Sequence, residues 1–580
     1  MATAESRLSA LGWAVWQDLQ PAPGRLAVSW RVAALCALMV MLAMTYGIPE
    51  SAVSCFVIFF VMKSDSGESS VLALALVVLV SLVVLVMVPL IQFSIESPAL
   101  RLLVMAISSF ALLFLGVASK LGPLGGIMAL VIAFVLTLLG YVPVGEIATR
   151  ALLYAWLMAS APMGLVLLFN LFFGLYPHKV LRRELAARMR LAASALLDQA
   201  DAQALWADLA LGVAVQQKRL LWVRLFHLVP AQEQAILEPA ILNTYRILLA
   251  VAALREQDLT NEQGQDWAQA CRQWARDLEQ GRVPDVGVLP ASPQGAGAAM
   301  DLWLALKALA GGGLTDKADP PREPFLASDA WTNPMYQHHA LKATAAAVLC
   351  YLLYSAMDWQ GIHTAMITCY VAALGSTGET VHKLALRIVG CLLGAALGFL
   401  TVLFVVPHLV DIGALMVVVF VVSLLGAWVF YGPERISYAG IQIAFAFYLV
   451  VLHGFGPSLD LDSARDRVMG VLLGNTVMYL VFTQVWPVSI AASVRRRLEQ
   501  AAQGLRVLGS LKRDHPAQAA QQAACVAQDL QASRYGLELM RLEPKGLRPD
   551  LSAEQAMQAQ WTDLHARFQG GLHMDRNAED

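Results

Sequence analysis

Residues 71–90 read VLALALVVLVSLVVLVMVPL, a run with no charged side chain. A helix rises about 1.5 Å per residue, so such a run reaches across the roughly 30 Å hydrocarbon core of a bilayer. It reads as a membrane-spanning helix, and residues 412–430 read as clearly. Around these two, the sequence predicts ten further spans. The first six lie near 26–47, 50–63, 70–91, 100–118, 122–141 and 151–175. The second six lie near 338–357, 361–375, 382–406, 411–430, 435–453 and 465–486. The second and eighth are short, which suits tilted or re-entrant segments.

Composition agrees. Of 580 residues, 58% are hydrophobic and 14% charged, and the mean hydropathy is +0.59. A soluble chain carries about 25% charge, so this apolar surface cannot be hidden in one water-soluble core. The net charge of −2 gives no sign of a nucleic-acid partner. Residues 1–24 are mixed and amphipathic, without the small-residue cleavage site of a signal peptide, so the first span is expected to stay in the mature protein. The seven cysteines are scattered and form no C-x-x-C pair or metal spacing, so no metal site or disulfide framework is expected.

Orientation follows from lysine and arginine near the span ends. Lys179, Arg182, Arg183, Arg188 and Arg190 follow the sixth span, and Arg495, Arg496 and Arg497 follow the twelfth. The opposite connections carry mainly acids: Asp358, Asp411, Asp460 and Asp462. Both termini are then expected in the cytoplasm. The expected organisation is a cytosolic amphipathic N-terminus (1–25), a six-helix membrane unit (26–177), a cytosolic helical insert and linker (178–337), a second six-helix unit (338–487) and a cytosolic helical tail (488–580). Residues 182–228 and 495–542 show helical spacing of apolar residues, and the linker from about Val283 to Pro334 is rich in Pro and Gly.

The halves repeat. Ser66-Gly67-Glu68-Ser69 and Thr377-Gly378-Glu379-Thr380 are separated by 311 residues, as are Arg31 and Lys342. Gly122-Pro123 and Gly432-Pro433 are 310 apart, as are Tyr176-Pro177 and Trp486-Pro487. Arg182-Arg183 matches Arg496-Arg497 at 314, and the segments ending in Pro230 and Pro544 match at the same offset. Landmarks in one order at one near-constant offset imply duplication. An even number of spans per copy implies a parallel repeat about an axis along the membrane normal. The expected fold is an all-α polytopic membrane protein of two tandem six-helix repeats, each followed by a cytosolic helical region.

Ionisable residues inside apolar spans are the functional suspects. Arg31 and Lys342 occupy matching places, and Lys383 and Arg387 share a helix face beside His382. These cations are candidates for a substrate pathway that attracts anions, although their long stems also suit snorkelling to the headgroups. Glu68 and Glu379 are candidates for proton coupling, and the same small-Gly-Glu-small motif also reads as a helix cap. Gly390, Gly394 and Gly398 form a stripe that lets helices approach closely. The chain lacks G-x-x-x-x-G-K-[ST], H-E-x-x-H and G-x-S-x-G, so neither ATP-driven chemistry, a metalloenzyme nor a hydrolase is expected, and no cofactor is called for.

The stretch Gly375-Ser376-Thr377-Gly378-Glu379-Thr380, leading into Lys383-Leu384-Ala385-Leu386-Arg387-Ile388-Val389-Gly390, together with the span arrangement, resembles the fusaric acid resistance and aromatic acid exporter (FUSC) superfamily. The closer likeness is to its MdtO-type multidrug-resistance branch. The resemblance implies a bacterial inner-membrane exporter of aromatic carboxylic acids or amphipathic drugs. It also implies partners: the lipid bilayer, a small-molecule substrate, a periplasmic adaptor (membrane fusion protein) and an outer-membrane channel. Proton-driven export, an uncoupled organic-anion channel and a membrane scaffold for envelope assembly are the competing readings. Residues 71–90 lack the basic residues and glycines of the ninth span, so the duplication does not extend to a basic site there.

Overall fold

The computed structural model describes residues 12–13, 15–94, 97–138, 145–199, 202–254, 261–293, 297–311, 324–453, 456–457, 461–511 and 515–571. Asp460, the linker residues Gly312, Gly313, Pro320 and Pro321, and the two chain ends lie outside them. The described residues are almost wholly helical, with one two-residue ladder pairing Leu452–His453 with Gly456–Pro457. The chain divides into two compact units, one of residues 1–174 and 323–488, the other of residues 175–322 and 489–580.

The first unit holds α1 (Arg25–Tyr46), α2 (Ser51–Val61), α3 (Ser66–Ser94), α4 (Pro98–Ala118), α5 (Pro123–Leu138) and α6 (Gly145–Phe173) from the N-terminal half of the chain. From the C-terminal half come α13 (Pro334–Ala356), α14 (Thr364–Ala372), α15 (Thr377–Phe404), α16 (Ile412–Phe430), α17 (Glu434–Val451) and α18 (Leu461–Gln484). Six of its helices or helical runs are long and apolar enough to cross a membrane: Arg25–Tyr46, Ser66–Ser94, Pro98–Ala118, Thr149–Phe173, Thr377–His408 and Ile412–Phe430. Large apolar side chains such as Leu85, Ile107, Phe172, Phe404 and Val417 stand exposed on them. A water-soluble protein would bury that surface, and a bilayer solvates it. The second and eighth expected spans are indeed short, as α2 and α14 have 11 and 9 residues.

Pairings in this unit are reciprocal. Helix α1 packs on α16, and α13 packs on α4. Likewise α2 meets α17, and α14 meets α5. The turns before α3 and α15 also match bond for bond. Ser69 Oγ accepts from Lys63 N at 2.8 Å and donates to the Asp65 carbonyl, while Glu68 N donates to Asp65 Oδ1. Thr380 Oγ1 accepts from Leu374 N at 3.3 Å and donates to the Ser376 carbonyl, while Glu379 N donates to Ser376 Oγ. Every partner is displaced by the same 311 residues. Gly47 and Asp358, also 311 apart, both turn left-handed after the first helix of their half, with φ of 63° and 49°.

One pairing is lopsided. Helix α15 lies against α17 along its whole glycine stripe. A Cβ on Gly390 would stand 2.7 Å from the Ala439 carbonyl oxygen, one on Gly394 2.2 Å from that of Ile443, and one on Gly398 2.8 Å from Val450 Cβ. The residues 311 earlier are Leu79, Val83 and Met87. Their bulk holds α3 off α5, and the two helices touch only slightly.

The second unit consists of α7 (Pro177–Leu196), α8 (Ala202–Leu211), α9 (Ala214–Leu225), α10 (Ala231–Leu254), α11 (Asn261–Gln280), α12 (Ala298–Ala310), α19 (Ala491–Leu511), α20 (Pro516–Met540) and α21 (Leu551–Gly571). The helical pattern over 182–228 is broken, because Gly212 adopts φ 65° between α8 and α9. Helix α10 contains a run, Glu233–Leu254, that is long and apolar enough to cross a membrane. Here Ile241, Tyr245, Leu248 and Val251 instead fill the unit's core, with Trp274 and Leu302. Burial pushes the Cys271 thiol in that core up to about 12, so it is an inert apolar filler.

Candidate functional site

The four candidate cations are not gathered into one site. Arg31 is buried, yet its Nε donates to the Ala27 carbonyl at 2.6 Å and its guanidinium reaches the Ser64 carbonyl at 3.3 Å, just past the end of α2. Asp65 and Tyr431 are within electrostatic reach. Lys342, also buried, donates to the Trp486 carbonyl at 3.1 Å, just past the end of α18, and its ammonium lies 4.7 Å from the centre of the Phe482 ring. Both cations therefore face helix C-termini, where unpaired carbonyls and the helix dipole favour positive charge. One guanidinium nitrogen of Arg31, Nη1, is nevertheless buried without an acceptor.

Glu379 also has a structural partner. Its carboxylate accepts from Ser376 N at 3.1 Å and Ser376 Oγ at 2.8 Å, completing a capping box at the start of α15. Glu68 occupies the matching place in α3, where Asp65 serves as the cap.

Lys383 and Arg387 differ. They do share a face of α15, and both meet Tyr438 of α17: the Lys383 ammonium lies 5.0 Å from the ring centre, and Arg387 donates to the hydroxyl at 3.0 Å. Arg387 is 1% exposed and also donates to Gln442 Oε1 at 3.1 Å. It makes no ion pair among the described residues, and its Nε finds no acceptor among them. A fully buried guanidinium held only by neutral groups is costly unless an anion completes it.

Two neutral neighbours, invisible as site residues in the sequence, share that condition. Gln442 Nε2 is buried without an acceptor, and Asn475 in α18 is buried with no acceptor for Nδ2 and no donor for Oδ1. Asn475 follows Val471 by one turn and Val468 by one heptad, so it shares their face of the helix. Val468 and Val471 line a narrow cleft among α15, α17 and α18, together with Gln442, Phe445, Leu449 and Arg467. Arg387 Nε and Gln442 Nε2 are thus unsatisfied N–H donors on two hydrogen-bonded side chains, and Gln442 also lines the apolar cleft. The cleft has a volume of only about 10 Å³, the space of a single water, so an organic anion would enter it only if α15, α17 and α18 part.

Comparison with known proteins falls on the same segment. Residues 349–481 match the family model "Fusaric acid resistance protein-like", and this stretch contains Arg387, Gln442, Arg467 and Asn475. The chain is 40% identical over 191 residues, 32% of its own length, to the "Multidrug resistance protein MdtO" of Escherichia coli K12, an alignment that spans only 28% of that protein. It is 28% identical over 517 residues to the proteins of that name from Escherichia coli O6:H1 and O157:H7, covering 83% of this chain and 72% of theirs. No solved structure matches the chain.

Proposed function

The chain belongs to the fusaric acid resistance protein-like (FUSC) family and is MdtO-like, and on that premise we propose that it is an inner-membrane efflux transporter for aromatic carboxylic acids or amphipathic drugs. The observation that carries the reading is Arg387: a buried cation without an ion-pair partner among the described residues, hydrogen-bonded to Gln442, whose Nε2 has no acceptor and which lines an apolar slot. A substrate carboxylate would satisfy these donors, with its ring entering the slot lined by Phe445 and Leu449 once the surrounding helices part to widen it.

The architecture belongs to the same proposal. Two six-helix copies, 26–177 and 338–487, are taken to be related by a pseudo-twofold axis along the membrane normal, with both chain ends and residues 178–337 in the cytoplasm. The 311-residue register of the hydrogen bonds at Ser69 and Thr380, and the reciprocal helix pairings, support that reading. Proton-gradient drive, with Glu68 and Glu379 as carriers, and onward passage through a periplasmic adaptor and outer-membrane channel rest on the family resemblance.

Benzoate efflux from proteoliposomes, with and without an imposed pH gradient, tests the function. Arg387→Gln and Asn475→Leu are each expected to slow efflux at least about tenfold, equivalent to ~1.4 kcal/mol, at unchanged abundance and Tm. Full efflux in Arg387→Gln would remove the site. Equal efflux with and without the gradient would favour an uncoupled channel.

A further inference from the structure

Arg467 lines the same cleft as Gln442 but lies near the start of α18, opposite the end of α17, with Leu449 and Val450 between them along the slot. It is 9% exposed. Its guanidinium lies 2.6 Å from His363 Nε2 and 3.9 Å from Glu50 Oε1. His363 Nδ1 lies 3.1 Å from the Gln360 carbonyl, so Nδ1 donates there and leaves Nε2 as a neutral acceptor for Arg467. The imidazole orients the guanidinium without neutralising it. The nearby acid Asp466 is paired with Arg465 at 3.0 Å. Glu50 is therefore the carboxylate that faces Arg467, and its side chain is 35% exposed. It is also held unusually: Glu50 is a non-glycine residue with φ 51°, just before α2. That left-handed conformation is strained for a residue with a side chain.

We propose that Arg467 is a second carboxylate subsite, at the outer end of the cleft, and that Glu50 is a tethered carboxylate that occupies it between substrates. The inference rests on the export reading above. A carboxylate arriving along the slot from Gln442, the partner of Arg387, meets a guanidinium whose present acid partner is at 3.9 Å, too long for a hydrogen bond, and displaces it. Glu50 then swings toward its exposed side, and its return to Arg467 expels the anion. The pairing also explains the strained backbone: the left-handed turn aims the Glu50 carboxylate across the half-boundary at α18. The matching acid is missing from the other half, where Gly361 stands 311 residues on, and Leu157 stands 310 before Arg467. The device thus exists once per chain.

The sign of one substitution tests it. Benzoate binding is measured as the ligand-dependent rise in Tm of the full-length protein in detergent, for the wild type, Glu50→Gln, Arg467→Gln and the double variant. If Glu50 competes with the ligand, Glu50→Gln tightens benzoate binding at least about threefold, Arg467→Gln weakens it by a similar factor, and the double variant behaves as Arg467→Gln. A purely structural ion pair gives the opposite sign: Glu50→Gln lowers the ligand-free Tm and leaves benzoate affinity unchanged or weaker, which overturns the inference. If Arg387→Gln abolishes binding while neither Arg467→Gln nor Glu50→Gln changes it, the subsite fails and the export reading stands. If the wild type does not respond to benzoate but Glu50→Gln does, the latch is upheld. If neither responds, the subsite is overturned, and efflux from proteoliposomes decides the export reading separately.

Discussion

At the scale of the residue, what separates the four candidate cations is the company each keeps. The sequence marks Arg31, Lys342, Lys383 and Arg387 equally, as basic groups in apolar spans. Only the folded chain shows that Arg31 and Lys342 lean on carbonyls past the ends of α2 and α18, whereas Arg387 rests on a phenol and an amide. Gln442 and Asn475 were not legible at all, because a neutral amide in an apolar helix carries no signal until its hydrogen-bond partners can be counted. Glu379 presents two separable roles. As half of a capping box it stabilises the start of α15, and removing the other half by Ser376→Ala is expected to cost about 1 kcal/mol. Glu379→Gln keeps an acceptor for Ser376 N but cannot ionise. If Glu379 carries the coupling proton, Glu379→Gln abolishes stimulation of benzoate efflux by the pH gradient while passive exchange and Tm hold. If it is only a cap, both variants lower Tm and leave the ratio of driven to passive flux unchanged.

Among elements, the stripe Gly390-Gly394-Gly398 was legible from its spacing of four, yet nothing in the sequence names the helix it meets. The partner is α17, whose backbone lies against it. The contrast with Leu79, Val83 and Met87 of α3 explains why α15 alone brings its basic face against another helix, and so why Arg387 reaches Tyr438 and Gln442. Gly394 is the tightest of the three contacts, with a backbone oxygen as neighbour, so relief requires moving a helix rather than turning a side chain. Gly394→Leu is therefore expected to destabilise the membrane unit by about 1–3 kcal/mol. It should also lower benzoate affinity, since it separates Arg387 from Gln442. A Tm equal to that of the wild type would show that α15 and α17 are not locked together here. The short α2 and α14 were legible from the limited length of their apolar runs. The break at Gly212 was not, because a single glycine within a helical pattern is usually tolerated.

For the whole molecule, the question that ordering by sequence leaves open is how many times the chain crosses the membrane. The 311-residue register of the turns was legible because its landmarks are turn and cap residues, whose identity is dictated by backbone geometry and not by packing. Ser69 and Thr380 keep the same bonds although their surroundings differ. Helix α10 is the rival to the twelve-span count, since Glu233–Leu254 is apolar and long enough to cross. Burial alone does not set it apart, because α1 is as deeply buried; what marks α10 is that Ile241, Tyr245, Leu248 and Val251 fill the core of the second unit. An amphipathic face turned into a core accounts for its apolar content without lipid. The basic residues after α6 point the same way. Arg182 and Arg188 are ion-paired with Glu233 and Asp208, but orientation depends on the count of Lys and Arg near the span, and acids contribute little to it. Reporter fusions after Pro177 and after Pro487 decide between the alternatives by parity. With α10 in the soluble unit, an even number of crossings separates the two points and both reporters read cytoplasmic. With α10 across the bilayer the number becomes odd, and the second reporter reads periplasmic. That result would also place the basic run Arg495–Arg497 on the wrong side of the membrane, the outcome that the positive-inside bias disfavours.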